Sequence, residues 1–291
     1  MSKAASSTIA LVGAGRVGRA LGRSLCARGW HIGAVVTRSA ATARSAVRAI
    51  GGGQPHEGVT RRVLDADVVL IATPDDCIRD VALKLARAGG EEWRGKVVLH
   101  TSGALDDRVL EPLAHLGAAT GTMHPLQTFS GRGVPLLEGV AFAIQGHGRA
   151  QQAARHVARA LGGAPVKLRR ASKPAYHAAG TFAAPYFLTL VEAATRILMR
   201  AGFSRRRAQS VLLPLIRQTL ANYERLGARK AWTGPVARGD YSTVARHRVA
   251  LAEWPEEFSQ SYAALARLSA RVLAAHAEET LRHLGSVLPK R

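Results

Sequence analysis

Residues 8 to 28 constrain the chain more than any other stretch, because they read as a strand, a tight glycine turn and a helix in immediate succession. Ile9-Ala10-Leu11-Val12 is a short apolar run suited to a strand buried on both faces. Gly13-Ala14-Gly15-Arg16-Val17-Gly18 follows at once. Val17, Ala20, Leu21, Ser24 and Leu25 then recur at the spacing of a helix with one buried face. A GxGxxG set between a strand and a helix is the fingerprint of a dinucleotide site. Gly13 allows the sharp turn, Gly15 lets the backbone approach a pyrophosphate, and Gly18, helped by Gly22, lets helix and strand pack closely. The free N–H groups at the helix start, around Arg16 and Val17, then face the phosphates. The alternative is a glycine-rich turn without a ligand.

The second strand, Ile32 to Val36, ends in Thr37-Arg38-Ser39. An NAD site usually carries Asp or Glu there to hold the ribose 2′-hydroxyl, whereas an Arg suits the 2′-phosphate of NADP. Arg38 is expected to pair with that phosphate, and Thr37 and Ser39 to add hydroxyl donors. Gly51 to Pro55 reads as a loop after a helix over Ala40 to Ile50. Asp67 to Ala72 is a further buried strand, ending in Thr73-Pro74-Asp75-Asp76. Ala72, Thr73 and Pro74 therefore join the cofactor set, because ligands lie at the carboxyl ends of such strands. Strands over 96–100, 119–123, 140–144 and 165–168 continue the alternation. The fold class is α/β: a doubly wound sheet over 1–170, followed by an all-α domain over 171–291. The helical domain shows helices around Phe187 to Leu198, over Arg207 to Tyr223 with Pro214 inside, and a final one around Phe258 to Val272.

Composition excludes several classes. Cys26 and Cys77 have neither disulfide-framework nor metal spacing, so no metal site is expected. Met1 to Ser7 lacks the apolar core of a secretory signal. The most apolar run, Ala178 to Val191, is interrupted by Pro185 and ended by Glu192, short of a membrane helix of about 18 residues. A cytoplasmic protein that engages no membrane is expected. The net charge is +21, and seven lysines against 34 arginines carry the positive side. Those arginines are scattered through both halves and aromatics are only 5%, which argues for a solvated basic surface rather than a nucleic-acid face. Such a field would also steer an anionic cofactor and substrate.

Three stretches could carry chemistry. Lys173 and His177 are spaced i, i+4 and share one helix face, with Tyr176 beside them. They follow the last strand, where the two domains are expected to meet, and a cleft between domains is a favoured ligand site. Lys173 could protonate or polarise a carbonyl oxygen as hydride arrives; a solvated lysine and a half-buried histidine are the plainer alternative. Ser102-Gly103 and His124-Pro125 both follow strand ends on the ligand side, and His124 could orient a substrate hydroxyl or carboxylate or be purely structural. In the loop Thr233 to Asp240, Arg238 could grip a substrate carboxylate, while Asp240 could line the same subsite or simply cap the next helix.

GAGRVG, ATPDD, HTSGAL, GTMHPLQTF, KPAYHAAG and TGPVARGDYSTVARH together span residues 13 to 247. On this set the chain resembles the Rossmann-like, DUF2520-containing group of predicted oxidoreductases. That group is similar to ketopantoate reductases, pyrroline-5-carboxylate reductases and the hydroxyisobutyrate and 6-phosphogluconate dehydrogenases. The β-hydroxyacid dehydrogenases carry a catalytic Lys followed four residues later by Asn. Lys173 falls at that Lys, and His177 stands where the Asn would be. The His124-Pro125 pair is similar to that of prephenate dehydrogenases, whose histidine contacts the substrate hydroxyl. The resemblance implies a homodimer built through the helical domain and an NADP(H)-dependent reductase of a small anionic 2-keto acid or related carbonyl compound, ketopantoate first. The rival readings are a prephenate-type dehydrogenase, an imine reductase, and a non-catalytic NADP(H)-binding sensor.

Overall fold

The computed structural model describes residues 8–131, 133 and 136–289; Met1 to Ser7, where a secretory signal was sought, lie outside them. The chain divides into two compact units, 1–184 and 185–291.

The first unit is built on one eight-stranded sheet, β1 (Thr8–Val12), β2 (His31–Thr37), β3 (Gln54–Glu57), β4 (Val68–Ile71), β5 (Val97–His100), β6 (Ala119–Pro125), β7 (Ala141–Gly146) and β8 (Ala164–Lys167). Their spatial order is β3-β2-β1-β4-β5-β6-β7-β8. Every neighbouring pair is parallel except β6 with β7, which is antiparallel. The order reverses between β1 and β4, the switch point at which such sheets open a crevice. The helices are α1 (Arg16–Cys26), α2 (Ala40–Ile50), α3 (Asp75–Gly89), α4 (Glu111–Ala114), α5 (Gly148–Ala160) and α6 (Lys173–Thr181). Leu11, Leu21, Leu25, Ile50, Phe142 and Ile144 form the core on one side of the sheet. Val69, Ile71, Ile78, Leu85, Trp93 and Val98 form it on the other. Burial on both faces is what the unbroken apolar strands demand.

Strand β3 corrects the expected loop over 51–55. It lies at the sheet edge, where Pro55 costs no ladder hydrogen bond that a central strand would need. The first compact unit extends to residue 184. Segment 170–184 stays with the sheet because its side chains are bonded there, as described below.

The second unit contains α7 (Phe187–Arg200), α8 (Arg205–Leu226), α9 (Ala228–Ala231), α10 (Tyr241–Leu251), α11 (Glu256–Leu273) and α12 (Ala277–Val287). Val244, Ala263, Ala270 and Leu284 make its core. Helix α12 was not anticipated, and Pro214 lies inside α8 as expected. Pro185 does not interrupt the apolar run; a π-turn over Phe182–Tyr186 absorbs it, so 170–200 is one helical run of 31 residues. By length and composition alone that run could cross a membrane. Its first turn carries a buried lysine bonded to the turn after β5.

Candidate functional site

The turn after β1 behaves as its glycines require. Gly13 has φ +90°, and a Cβ there would lie 2.8 Å from the Ala72 carbonyl oxygen. A Cβ on Gly18 would collide with the Gly13 carbonyl, so helix and turn could not approach. Gly15 is different: nothing lies within 4 Å of where its Cβ would be. It is the N-cap of α1, with no side chain accepting from the helix's first amides and no acid in the first turn. The amides at the start of α1 are thus free for an anion.

Beside the turn is a cleft of about 800 Å³, within the size range of ligand sites. Gly13, Gly15, Arg16, Thr37, Arg38, Ala72, Thr73 and Pro74 line it; Gly18, Val17 and Ser39 do not. Sequence reasoning missed Arg19, Arg23, Thr42 and Lys84 on the same walls. Arg16, Arg19 and Arg23 follow helical spacing, which was a legible signal. None of the ion pairs among the described residues uses Arg16, Arg19, Arg23, Arg38 or Lys84. Thr73 Oγ1 is buried without a hydrogen-bond partner. An open glycine, free amides, unpaired cations and an orphaned hydroxyl fit a phosphate-rich dinucleotide.

The hydroxyls after β2 are used differently than expected. Thr37 Oγ1 donates to the Ser39 carbonyl at 2.8 Å. Ser39 Oγ caps α2, accepting from the Thr42 N–H. Ser39 Oγ also donates to Thr42 Oγ1 at 2.9 Å, and Arg38 and Thr42 lie on the cleft wall. The acid absent from the end of β2 has a counterpart on β3: Glu57 accepts from the Ala40 N–H at 3.3 Å, though it does not line the cleft.

Strands β4, β5 and β6 are parallel, so their carboxyl ends share one edge of the sheet about 5 Å apart per strand. Pro74 and Ser102 follow the first two of those ends, and His124 is the last residue but one of β6. Lys173 is 1% exposed and its Nζ donates to the Ser102 carbonyl at 2.6 Å. Burial lowers its pKa to about 8, against the raising effect of Asp75, Asp106 and Asp107. His124 is brought down to about 4, by burial first and then by Lys173 and His177. Tyr176 is pushed up to about 12 by burial, so its phenol keeps its proton. Its hydroxyl shares a hydrogen bond of 2.9 Å with His124 Nδ1. The His177 ring lies 6.1 Å from that of His124. Gly103 separates them: a Cβ there would meet His177 Cδ2 at 2.7 Å and His124 Nε2 at 2.8 Å.

Two features hold this cluster together that the sequence did not disclose. Arg170, in the turn leading into α6, makes a bidentate pair with Asp107 at 2.8 Å for each bond. Burial alone would raise Asp107, and Arg170 more than offsets this, leaving the carboxyl below its usual range. His100, at the end of β5, is fully buried beneath Ser102. A histidine closing the apolar run Val97-Val98-Leu99 was the one visible signal of its role. Lys173, His177, His124, Ser102 and Gly103 are thus gathered in the first unit. Arg238 and Asp240 belong to the second, where Arg238 is exposed and Asp240 caps α10 by accepting from the Thr243 N–H at 3.1 Å. Among the described residues no cluster of His, Cys, Asp or Glu could hold a metal.

The fold is shared with solved oxidoreductase structures. A Bacteroides fragilis protein provisionally named an NADP oxidoreductase is 21% identical, with a TM-score of 0.74, covering 90% of this chain and 97% of its own. An imine reductase variant of Myxococcus stipitatus bound to NAD+ is 17% identical, with a TM-score of 0.64, covering 94% and 99%. A reductive aminase of Aspergillus terreus, in complex with NADPH and ethyl-5-oxohexanoate, is 18% identical, with a TM-score of 0.59, covering 97% and 92%. No curated protein matches by sequence. Residues 2–125 match the Rossmann-like domain and residues 140–269 match a domain of unknown function, DUF2520. The chain therefore carries a Rossmann-like domain followed by a DUF2520 domain.

Proposed function

We propose that the protein is an NADP(H)-dependent oxidoreductase that reduces a small anionic 2-keto acid or related carbonyl compound, with ketopantoate the first to try. The observation that carries this reading is Lys173, a buried amine with its pKa near 8 at the carboxyl edge of a nucleotide-binding sheet. The cofactor is held by the amides and glycines of Gly13 to Gly18, by Arg38 and Thr42 at the 2′-phosphate, and by Ala72, Thr73 and Pro74 next to the substrate. Bound NADPH supplies the hydride. As the carbonyl carbon gains that hydride, its oxygen gains negative charge and takes a proton. Lys173 Nζ offers both charge and proton, and a pKa near the working pH suits a general acid. His124 and His177 flank Gly103 and orient the substrate's polar groups.

The fold likeness to imine reductases supports a second reading, reduction of a cyclic imine. A protonated imine would place positive charge beside the Lys173 ammonium, which favours the carbonyl. A prephenate-type dehydrogenase would rely on His124 instead. We also propose a homodimer through the second unit, where Leu188, Leu215 and Tyr223 are 66%, 63% and 60% exposed in the single chain. The experiment is NADPH oxidation against a panel of 2-keto acids and cyclic imines. Turnover of a 2-keto acid is expected. Turnover of imines alone selects the second reading, and binding of NADPH without any turnover selects a sensor.

A further inference from the structure

His100 closes β5 and is fully buried, and the chemistry proposed above does not use it. Both of its ring nitrogens are engaged. The Ser102 N–H donates to Nδ1 at 3.2 Å, so Nδ1 carries no proton. Nε2 then carries it and donates to the Asp106 carbonyl at 3.1 Å. An amide N–H can only donate, so these two contacts admit one form of the ring: neutral, with its proton on Nε2. The consequence runs through a single turn. The Ser102 amide is held by His100, and the Ser102 carbonyl accepts from Lys173 Nζ at 2.6 Å. Ser102 Oγ accepts from the Ala104 and Leu105 N–H groups at 3.1 and 3.0 Å, which fixes the far side of the same turn.

We infer that His100 is a positioning residue: by accepting from the Ser102 amide it holds the Ser102 carbonyl where Lys173 Nζ meets it. The inference rests on the role given to Lys173 but not on any substrate. Asp75 from the start of α3, and Asp106 and Asp107 from the turn after β5, favour the charged amine; His100 and His124 are the imidazoles held neutral nearby, and Tyr176 and His177 face from α6. Among the described residues the Ser102 carbonyl is the hydrogen-bond acceptor of Nζ. A hydrogen bond to the charged form favours it, so losing the oriented carbonyl lowers the pKa of the amine.

Two amide side chains separate this role from packing. Asn puts an acceptor near the place of Nδ1 and can still hold the Ser102 N–H. Gln puts a donor near the place of Nε2 and can still reach the Asp106 carbonyl, but leaves the Ser102 N–H unheld. The test is an NMR titration of the full chain labelled with 15N at the lysine amines. With seven lysines the signals are few, and Lys173→Arg assigns the one of interest. The parent signal is expected to titrate near about 8. In His100→Asn it should stay within about 0.3 unit of that, and in His100→Gln fall by about one unit. An unchanged or raised titration in His100→Gln, or an equal fall in His100→Asn, overturns the inference. If the Gln variant fails to fold, the parent decides: histidine-ring 15N shifts must show His100 neutral with its proton on Nε2, and the opposite tautomer overturns the inference. Neither readout involves turnover, so a failure of the oxidoreductase reading is a separate result from the substrate panel.

Discussion

At the scale of the residue, charge placed where water is scarce explains most of the site. Arg38 is the cation at the end of β2 that faces the cleft, since the Thr37 and Ser39 hydroxyls are used within the turn. Arg38→Ala is expected to cost about 1.5–3 kcal/mol of NADPH binding, as for a hydrogen bond to a charged group, and to leave NADH nearly unchanged. Fluorescence titration of both cofactors checks this, and equal affinity in the parent would contradict it. His100 makes a second prediction. Burial, then the Lys173 charge, lowers its pKa from 6.5 to about 4. The unfolded chain therefore binds a proton there at higher pH than the folded chain does. The stability that a neutral His100 contributes is complete above about pH 6.5 and is lost as pH falls toward about 4. At full effect it amounts to about 3 kcal/mol, and His124 acts in the same direction. Urea midpoints measured from pH 7 to 4 should fall, and less steeply in His100→Asn. A flat profile in the parent contradicts the assignment.

At the scale of the element, α6 matters most. It is a short helix, Lys173–Thr181, with Lys173 its single buried residue, so apolar packing does little to hold it. Three polar ties do that instead: Lys173 to Ser102, Tyr176 to His124, and Arg170 to Asp107. Arg170→Met removes the last and leaves the Asp107 carboxylate buried without its partner. Hydrogen exchange of the α6 amides is expected to accelerate by at least about tenfold while β1 and β4 stay protected. Equal protection in parent and variant would contradict this. These ties also explain what the sequence could disclose. The glycine turn, the central strands and the i, i+4 pair of Lys173 and His177 are local patterns, and each was legible. Tyr176 meets His124 across 52 residues and Arg170 meets Asp107 across 63, and no spacing rule anticipates such pairs. The same ties keep α6 within the first compact unit, which runs to residue 184. Strand β3 was hidden because Gly51 to Pro55 carries turn residues, and its place at the sheet edge tolerates them.

At the scale of the whole molecule, two surfaces bear on how the protein works. The basic surface, net +21, should attract anions broadly, which steers a phosphate-bearing cofactor without specifying it. The second is apolar: Leu188, Val211, Leu215, Leu220 and Tyr223 are exposed on α7 and α8, where only Thr195 and Ala208 are buried. A second copy covering this face is expected, so sedimentation should give a dimer and Leu215→Glu should shift it toward monomer. A monomeric parent at micromolar concentration would contradict that reading. In the proposed reaction Lys173 supplies the proton when hydride reaches a carbonyl. This role is tested most directly by single-turnover oxidation of bound NADPH with the best compound from the panel, in the parent and in Lys173→Met. The Met side chain keeps the packing and removes the proton donor. A rate lower by about 10²–10⁴-fold with NADPH affinity retained is expected. An unchanged rate in Lys173→Met would contradict it and move the proton to His124.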